Sequence, residues 1–423
     1  MSLRLADLAA CFEGVIPSII ATAAADGMPN VSYLSHVVRV DDDHVALSNQ
    51  FFAKTAANVR ANPQVMLILV DGLTGAQYQL DIGFVRSVDA GPLFGRIARQ
   101  LKASSAQVGM AEVMRLRSAD IFRVHAIEPV PSPGGMAPPP RAMPDVVALA
   151  RAAAAIERQV SAEGIIDSLL AGLRQILGCD HALVLVPDAP RGVFVTMGSM
   201  GYARSGLGSE VALDEGLIGE AVASGEAIKV SDMSRVRRLG AAMGLEADEA
   251  ENASRSVAFP ALPGAMSQIA LPMLSRGVLA GVLFAESPAR LAFRDADEAV
   301  LQILATQAAG ALRAAEREAD TDRAAPLASA VPPATGRGIR VVHHRFDESV
   351  FVDGLYVIKG VAGLLLRQML HWHQTEGRDV FTNRELRLAL GARMPDIKDN
   401  LETRLLLLRR RLEEKGTALR LER

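Results

Sequence analysis

Proline fixes φ and removes a backbone donor, so neither a helix nor a central strand runs through a stretch dense in it. The chain has two such stretches: PVPSPGGMAPPPRAMP over Pro129–Pro144, and DTDRAAPLASAVPPATGRG over Asp320–Gly338. They cut 423 residues into pieces of roughly 130, 175 and 85, each large enough to bury its own core. Hydrophobic residues make up 50% and charged residues 22%, which excludes a disordered chain. A net charge of −3 excludes nucleic-acid binding driven by bulk charge, while leaving room for a local basic patch. The two cysteines, Cys11 and Cys179, form no disulfide framework and share no metal-ligand spacing with each other or with a histidine. They suit a reducing compartment. The start, MSLRLADLAACFEG, has early acidic residues and no long apolar run, and Val278–Ala285 is too short to span a bilayer. The expectation is a cytoplasmic chain.

The first piece alternates short strands with turns. IPSIIATAAADGMPNVSYLSHVVRVDDDHVALSN reads as strand, Asp26-Gly27 turn, strand, acidic turn, strand. A short helix over Lys54–Arg60 leads to Pro63 and the strand VMLILV. YQLDIGFVRSVDA and IFRVHAIEPV are further strands, with a helix beginning near Pro92 between them. Many antiparallel strands with few helices indicate a small barrel. Within it, SNQFFAKTAANVRANP (Ser48–Pro63) ends a strand in small polar residues and opens a helix with Lys54-Thr55. Amides at such a helix start, with the Lys54 ammonium, suit a phosphate. An ordinary capped helix with a solvated lysine reads the same way.

This piece resembles the pyridoxamine-5′-phosphate-oxidase-like, FMN-binding split barrels, through IIATAAADGMPNVSYLS and HVALSNQFFAKTAANVRANPQVMLIL. The resemblance implies FMN, with Lys54 and Thr55 at its phosphate, Ser48 and Asn49 approaching the phosphate from the strand end, and Tyr33, Ser35 and Val37 along the flavin ring. Oxidases of the family carry basic residues where this chain has Ser-Tyr-Leu-Ser-His-Val (Ser32–Val37), and their substrate-phosphate motif is missing. Pyridoxamine phosphate oxidation is therefore not expected, and haem or a deazaflavin stay as alternatives. His36 and His44 are candidate ligands, although lone histidines are more often structural.

The middle piece opens with a helix whose Val146, Leu149, Ala153, Ile156 and Val160 recur at three- and four-residue steps. It closes with a second helix carrying Leu301, Leu304, Ala308, Ala311 and Ala315. The strands ALVLVP, AIKVSD, SQIALPML and LAGVLFAES lie between. Together with GCDHALVLV, LDEGLIGEAVASGEAIKVSDM and AFRDADEAVLQILATQAAGAL they resemble a GAF domain. The resemblance implies a pocket for a small ligand, with Arg235–Pro263 as its lid, and end helices that pair across a homodimer, although packing within the domain explains the two stripes equally well. Cys179 falls before the first sheet strand, away from the loops where a covalent bilin would need a thiolate. His181 fits a sheet-edge role better than a haem ligand.

The last piece, Gly336–Arg423, carries 17 Lys/Arg against 12 Asp/Glu. It begins with a hairpin turning at Asp353-Gly354. A helix over about Val361–Thr375 follows, then a capping box Thr382–Glu385 and a long helix from Pro395 to about Lys415, with LRLER as a possible final strand. The order resembles the winged helix of response-regulator output domains, although the wing hairpin is missing. It implies DNA contacts from Arg384, Arg387, Lys398 and Arg404. His371 and His373 fall on different helix faces and make no joint metal site.

The fold expected is thus multidomain: an antiparallel split β-barrel (1–131), an α+β GAF domain (144–318) and a winged-helix-like domain (338–423). The function expected is a sensor–regulator in signal transduction, binding FMN and a small ligand, with a DNA-directed output. The alternative is an FMN-dependent oxidoreductase with a regulatory GAF domain. No nucleophile triad, phosphate loop, zinc spacing or placed carboxylate pair is found, but flavin enzymes need few such residues.

Overall fold

The computed structural model describes residues 3–34, 36–49, 53–106, 115–131, 143–234, 257, 259–321, 338–344, 348–390 and 401–422. Most of both proline-rich stretches, Pro395 and Lys398 lie outside these. In the first domain, β1 (Ser18–Ala23) buries every second residue, the period of a strand with one face on a core. It returns through Asp26-Gly27 into β2 (Pro29–Leu34), with Gly27 at φ +83°. β3 (Val37–Arg39), β4 (His44–Asn49), β5 (Gln64–Val70), β6 (Gln77–Val88) and β7 (Ser118–Pro129) complete a seven-stranded antiparallel sheet in the order β2-β1-β5-β6-β7-β4-β3. Register shifts between β6 and β7 let the sheet bend around its core. Leu67, Leu69, Leu80, Ile82 and Phe122 fill that core, and the N-terminal 3-10 helix Leu5–Glu13 adds Leu5, Leu8 and Cys11 to it. Helix α1 (Ala53–Ala61) packs on β1 and β2, and α2 (Pro92–Ala106) lays Ile97 on Ala46, Ala119 and Ile121.

The central domain is a six-stranded sheet in the order β10-β9-β8-β13-β12-β11. Its strands are β8 (His181–Asp188), β9 (Val193–Met200), β10 (Glu210–Ala212), β11 (Ile228–Val230), β12 (Ser267–Ser275) and β13 (Val278–Ser287). One face carries α3 (Val146–Glu157), α4 (Ala162–Leu177) and α6 (Asp295–Thr321); α5 (Gly216–Ser224) covers the other. Ser161 caps α4 at its start, accepting from the Gly164 amide at 3.1 Å, and Gly178 ends it in the left-handed region. The expected seam between the end helices forms inside the domain, where α3 packs on α6. The expected α3 stripe needs correction. Ile156 is buried, but Val146, the first residue of the helix, and Val160 are exposed; Val160 lies past the end of the helix at Glu157, where α4 takes over the packing.

The C-terminal domain has a three-stranded sheet, β14 (Val341–His344), β15 (Ser349–Val352) and β16 (Leu355–Ile358). Asp353 and Gly354 turn the β15–β16 hairpin at φ +49° and +84°, the backbone an Asp-Gly pair supplies. Helices α7 (Gly360–Glu376), α8 (Asn383–Leu390) and α9 (Leu401–Glu414) follow. The capping box is complete: the Glu385 amide donates to Thr382 Oγ1 at 3.2 Å, and the Thr382 amide to Glu385 Oε2 at 2.9 Å.

Two expectations change here. Over its described part, residues 419–422, LRLER is irregular chain and not a strand. Among the described residues the third domain also has no separate core. Val350, Leu365, Leu408 and Leu412 belong to one buried cluster with Leu169, Leu173, Leu304 and Ala308 of the central domain, and α9 packs on α4, α6 and β9. Truncating Leu408, which is fully buried, should therefore cost about 2–5 kcal/mol and shift one joint calorimetric transition of the two domains. Separate transitions would show two cores.

Candidate functional site

Helix α1 is held on the barrel by hydroxyls and amides. Asn30 Nδ2 donates to Thr55 Oγ1 at 3.1 Å, the Ser32 and Thr55 hydroxyls meet at 3.0 Å, and Asn58 Nδ2 donates to Thr22 Oγ1 at 3.1 Å. Ser48 is buried and ties β4 to the chain before β3: its hydroxyl donates to the His36 carbonyl at 3.1 Å and accepts from the His36 amide at 3.3 Å. Asn49 Nδ2 donates to Asp120, which also accepts from Ser87 and Ser118. Ser48, Asn49, Thr55 and Asp120 line a hollow of about 20 Å³ under α1, closed by Ile20, Leu34, Leu47 and Phe122.

The structure thus brings Ser48, Asn49 and Thr55 together, and their polar atoms are committed to the fold. Lys54, in the first turn of α1, is exposed. Val37, expected beside a flavin ring, is instead part of the barrel core, paired across β3–β4 with Leu47. Tyr33 is 69% exposed. Successive side chains of a strand point to opposite faces, so Tyr33 faces away from Ser32 and hence from α1. Ser35 lies outside the described residues. His44 holds the Asp41 carboxylate at 2.9 Å. Among the described residues no group of three or more His, Cys, Asp or Glu is placed to hold a metal ion.

In the central domain the face under α5 is an apolar cluster built from Leu183, Leu185, Phe194, Ile218, Val282 and Phe284. Glu286 is buried at its margin, accepting from the Leu262 amide at 3.0 Å and from Gln268 Nε2 at 2.8 Å. These bonds anchor the far end of the expected lid, where Phe259 leans on Phe284; residues 235–256 lie outside the described ones. Burial and the Glu286 carboxylate push the Tyr202 phenol upward, so it stays neutral. Cys179 is buried and donates to the His181 carbonyl. Burial raises its thiol to about 11, and that of Cys11 to about 12. Neither is a thiolate at neutral pH, and neither should react with a thiol reagent until the chain unfolds, as a timed labelling assay would show.

The C-terminal basic residues are placed otherwise than expected. Arg384 is exposed on α8 and Arg387 half-buried. Arg404 is 4% exposed and pairs with the buried Asp188 at 3.3 Å. It is therefore withdrawn from any DNA surface, because α9 lies against the central domain. Its neighbours do likewise. Arg410 donates to the Met197 carbonyl and to Asp167, both at 2.6 Å, Arg409 pairs with Glu163, and Arg411 donates to the Val357 carbonyl at 3.0 Å. On the opposite side, Lys229 of β11 donates to Glu13 at 2.8 Å and pairs with Glu298 at 3.1 Å. Burial alone would pull the Lys229 ammonium down; Glu13 and Glu298 outweigh it and carry it to about 12. Sequence reasoning missed these acids. The signal was there in Asp188, an acid closing the apolar run ALVLVPD, since a buried acid needs a partner.

Residues 6–128 match the family model Pyridoxamine 5'-phosphate oxidase, and residues 161–312 match the GAF domain model. The chain joins a split barrel of the pyridoxamine-phosphate-oxidase type to a GAF domain. Residues beyond 312 fall outside both matches. No curated protein matches the chain. Among solved structures, similarity is found to the GAF domain of an Acinetobacter phosphoenolpyruvate-protein phosphotransferase (20% identity, 41% of this chain and 94% of that one, TM-score 0.34). An FMN-binding protein from Syntrophomonas wolfei subsp. wolfei is also similar (15%, 30% and 87%, 0.26). So is free methionine-R-sulfoxide reductase from Neisseria meningitidis (18%, 40% and 89%, 0.31).

The two kinds of ion pair should separate in urea unfolding. Asp188→Asn removes the buried carboxylate that Arg404 pairs with and should cost about 3–5 kcal/mol. Glu226→Gln, across from Arg99 at a solvent-facing pair, should cost under about 1 kcal/mol. The Lys229 contribution is complete below the ordinary lysine value of 10.5 and is lost as pH rises through about 12, so docking at this edge should not vary with pH near neutrality.

Proposed function

We propose that the chain is a sensor–regulator. The split barrel holds a flavin-type cofactor, FMN, the GAF domain takes a small ligand under α5, and the C-terminal domain responds. The flavin half is carried by the seating of α1. Thr55, fixed by Asn30 and Ser32, holds the first turn so that the exposed Lys54 is left for an outside anion. A cation beside a helix start fits the phosphate end of FMN. The hollow beneath, about 20 Å³, holds a water at most, so the ring belongs outside the barrel. Bound there, FMN would supply the electron-transfer chemistry, while this chain would bind and orient it.

Tyr33 fits that ring only if a second copy completes the site. On the outer face of the sheet the register sets Tyr33, Ile19 and Ile68 in one row and Val31, Ala21 and Met66 in the next. Val31 and Tyr33 are the exposed end of these rows. An apolar sheet face of this width marks an interaction surface, and a homodimer is the reading that covers it. For DNA, Arg384 supports a contact from α8, and Arg404 no longer does. Among the described residues no helix is long and apolar enough to cross a membrane.

The deciding experiment is the visible spectrum of the purified full-length protein with mass identification of what heat releases, followed by titration with FMN. Lys54→Ala should weaken FMN binding about tenfold, the scale of one charge-assisted contact, and leave the melting temperature unchanged because Lys54 is exposed. A Soret band would replace flavin by haem, and sustained NAD(P)H turnover would replace sensing by oxidoreductase chemistry.

A further inference from the structure

Helix α5 touches two things at once. Its inner side lays Leu217, Ile218 and Ala221 on the apolar face of the GAF sheet. Its outer side meets α2 of the split barrel, where Lys102 pairs with the buried Glu220, and just past the end of α5 Arg99 donates to Glu226 at 3.2 Å. Gln100 Nε2 extends the contact to the Lys229 carbonyl of β11 at 2.7 Å. In turn α2 sets Ile97 on Ala46 of β4 and Ala119 and Ile121 of β7. Ser48 and Asn49 lie on that same β4, and Asp120 on that same β7.

We infer that α2 and α5 form one mechanical unit, through which a change on the GAF ligand face shifts β4 and β7 of the barrel. Every step is a direct contact between packed or ion-paired groups, a contiguous network of the kind that can carry coupling between sites. The inference rests on the sensor reading for its purpose, but not for its existence. Glu13, held by Lys229 and Ser231, keeps the two domains registered, so that displacement of α5 is met by α2 and not absorbed by a slip.

Hydrogen exchange of the full-length chain tests it without any ligand. Leu217→Ala loosens the inner side of α5. Exchange should rise about tenfold in 216–224 and also in α2 and in 44–49. With Lys102→Met and Arg99→Gln added, the rise should persist in α5 and vanish from the barrel. Leu304→Ala, on the opposite face of the GAF sheet, controls for general destabilisation and should leave 44–49 unchanged. A rise confined to α5, or one that reaches β4 with the two contacts removed, overturns the coupling. If Leu217→Ala does not fold, Ile218→Val carries the same readout. Because no cofactor enters, a colourless protein would remove the flavin assignment and leave this result standing.

Discussion

An open sheet has two edges, and each unpaired peptide on them needs a partner or a cover. The GAF sheet ends in β10 on one side and β11 on the other. The short β10 leaves part of β9 beyond it, where Arg410 of the C-terminal domain donates to the Met197 carbonyl; at β11, Gln100 of the barrel donates to the Lys229 carbonyl. The flanking domains are thus fastened to the same sheet at opposite edges. Each fastening places a side-chain donor on an edge carbonyl and surrounds it with ion pairs. The central domain becomes the frame on which the other two are oriented.

The charges that make these fastenings behave differently from surface pairs. Burying Arg404 against Asp188, or Lys229 among Glu13 and Glu298, desolvates both signs, and an apolar pair of the same volume could be as stable. What such pairs add is register: a misdocked arrangement would leave a buried charge alone. That is a sufficient reason for arginines on α9 to face protein. The apolar share of the contact, with Leu408 and Leu412 in one cluster with Leu169 and Leu304, supplies the hydrophobic drive.

Local chemistry was legible and direction was not. Asp353-Gly354 turned a hairpin, Thr382 and Glu385 capped a helix, and alternation gave the barrel strands, because each of these is settled within a few residues. The roles of Ser48 and Thr55 depend on partners 12 and 25 residues away, and no spacing rule reveals them. The stripe RLLLLRRR reads the same whether its arginines meet phosphates or Glu163, Asp167 and Asp188. Only the fold tells these apart. The α3 stripe ran past its helix for a similar reason: periodicity continued through Val160, while the backbone turned after Glu157.

The shared core also sets an order of events during synthesis. The GAF helices α4 and α6 are complete by residue 321, but the helix that covers them starts at Leu401. At 5–20 residues per second, about 80 residues take roughly 4–16 s to emerge. Through that interval an apolar surface of a folded domain stands open on the ribosome. The nascent chain is most vulnerable then, and chaperones would have most to shield before α9 arrives.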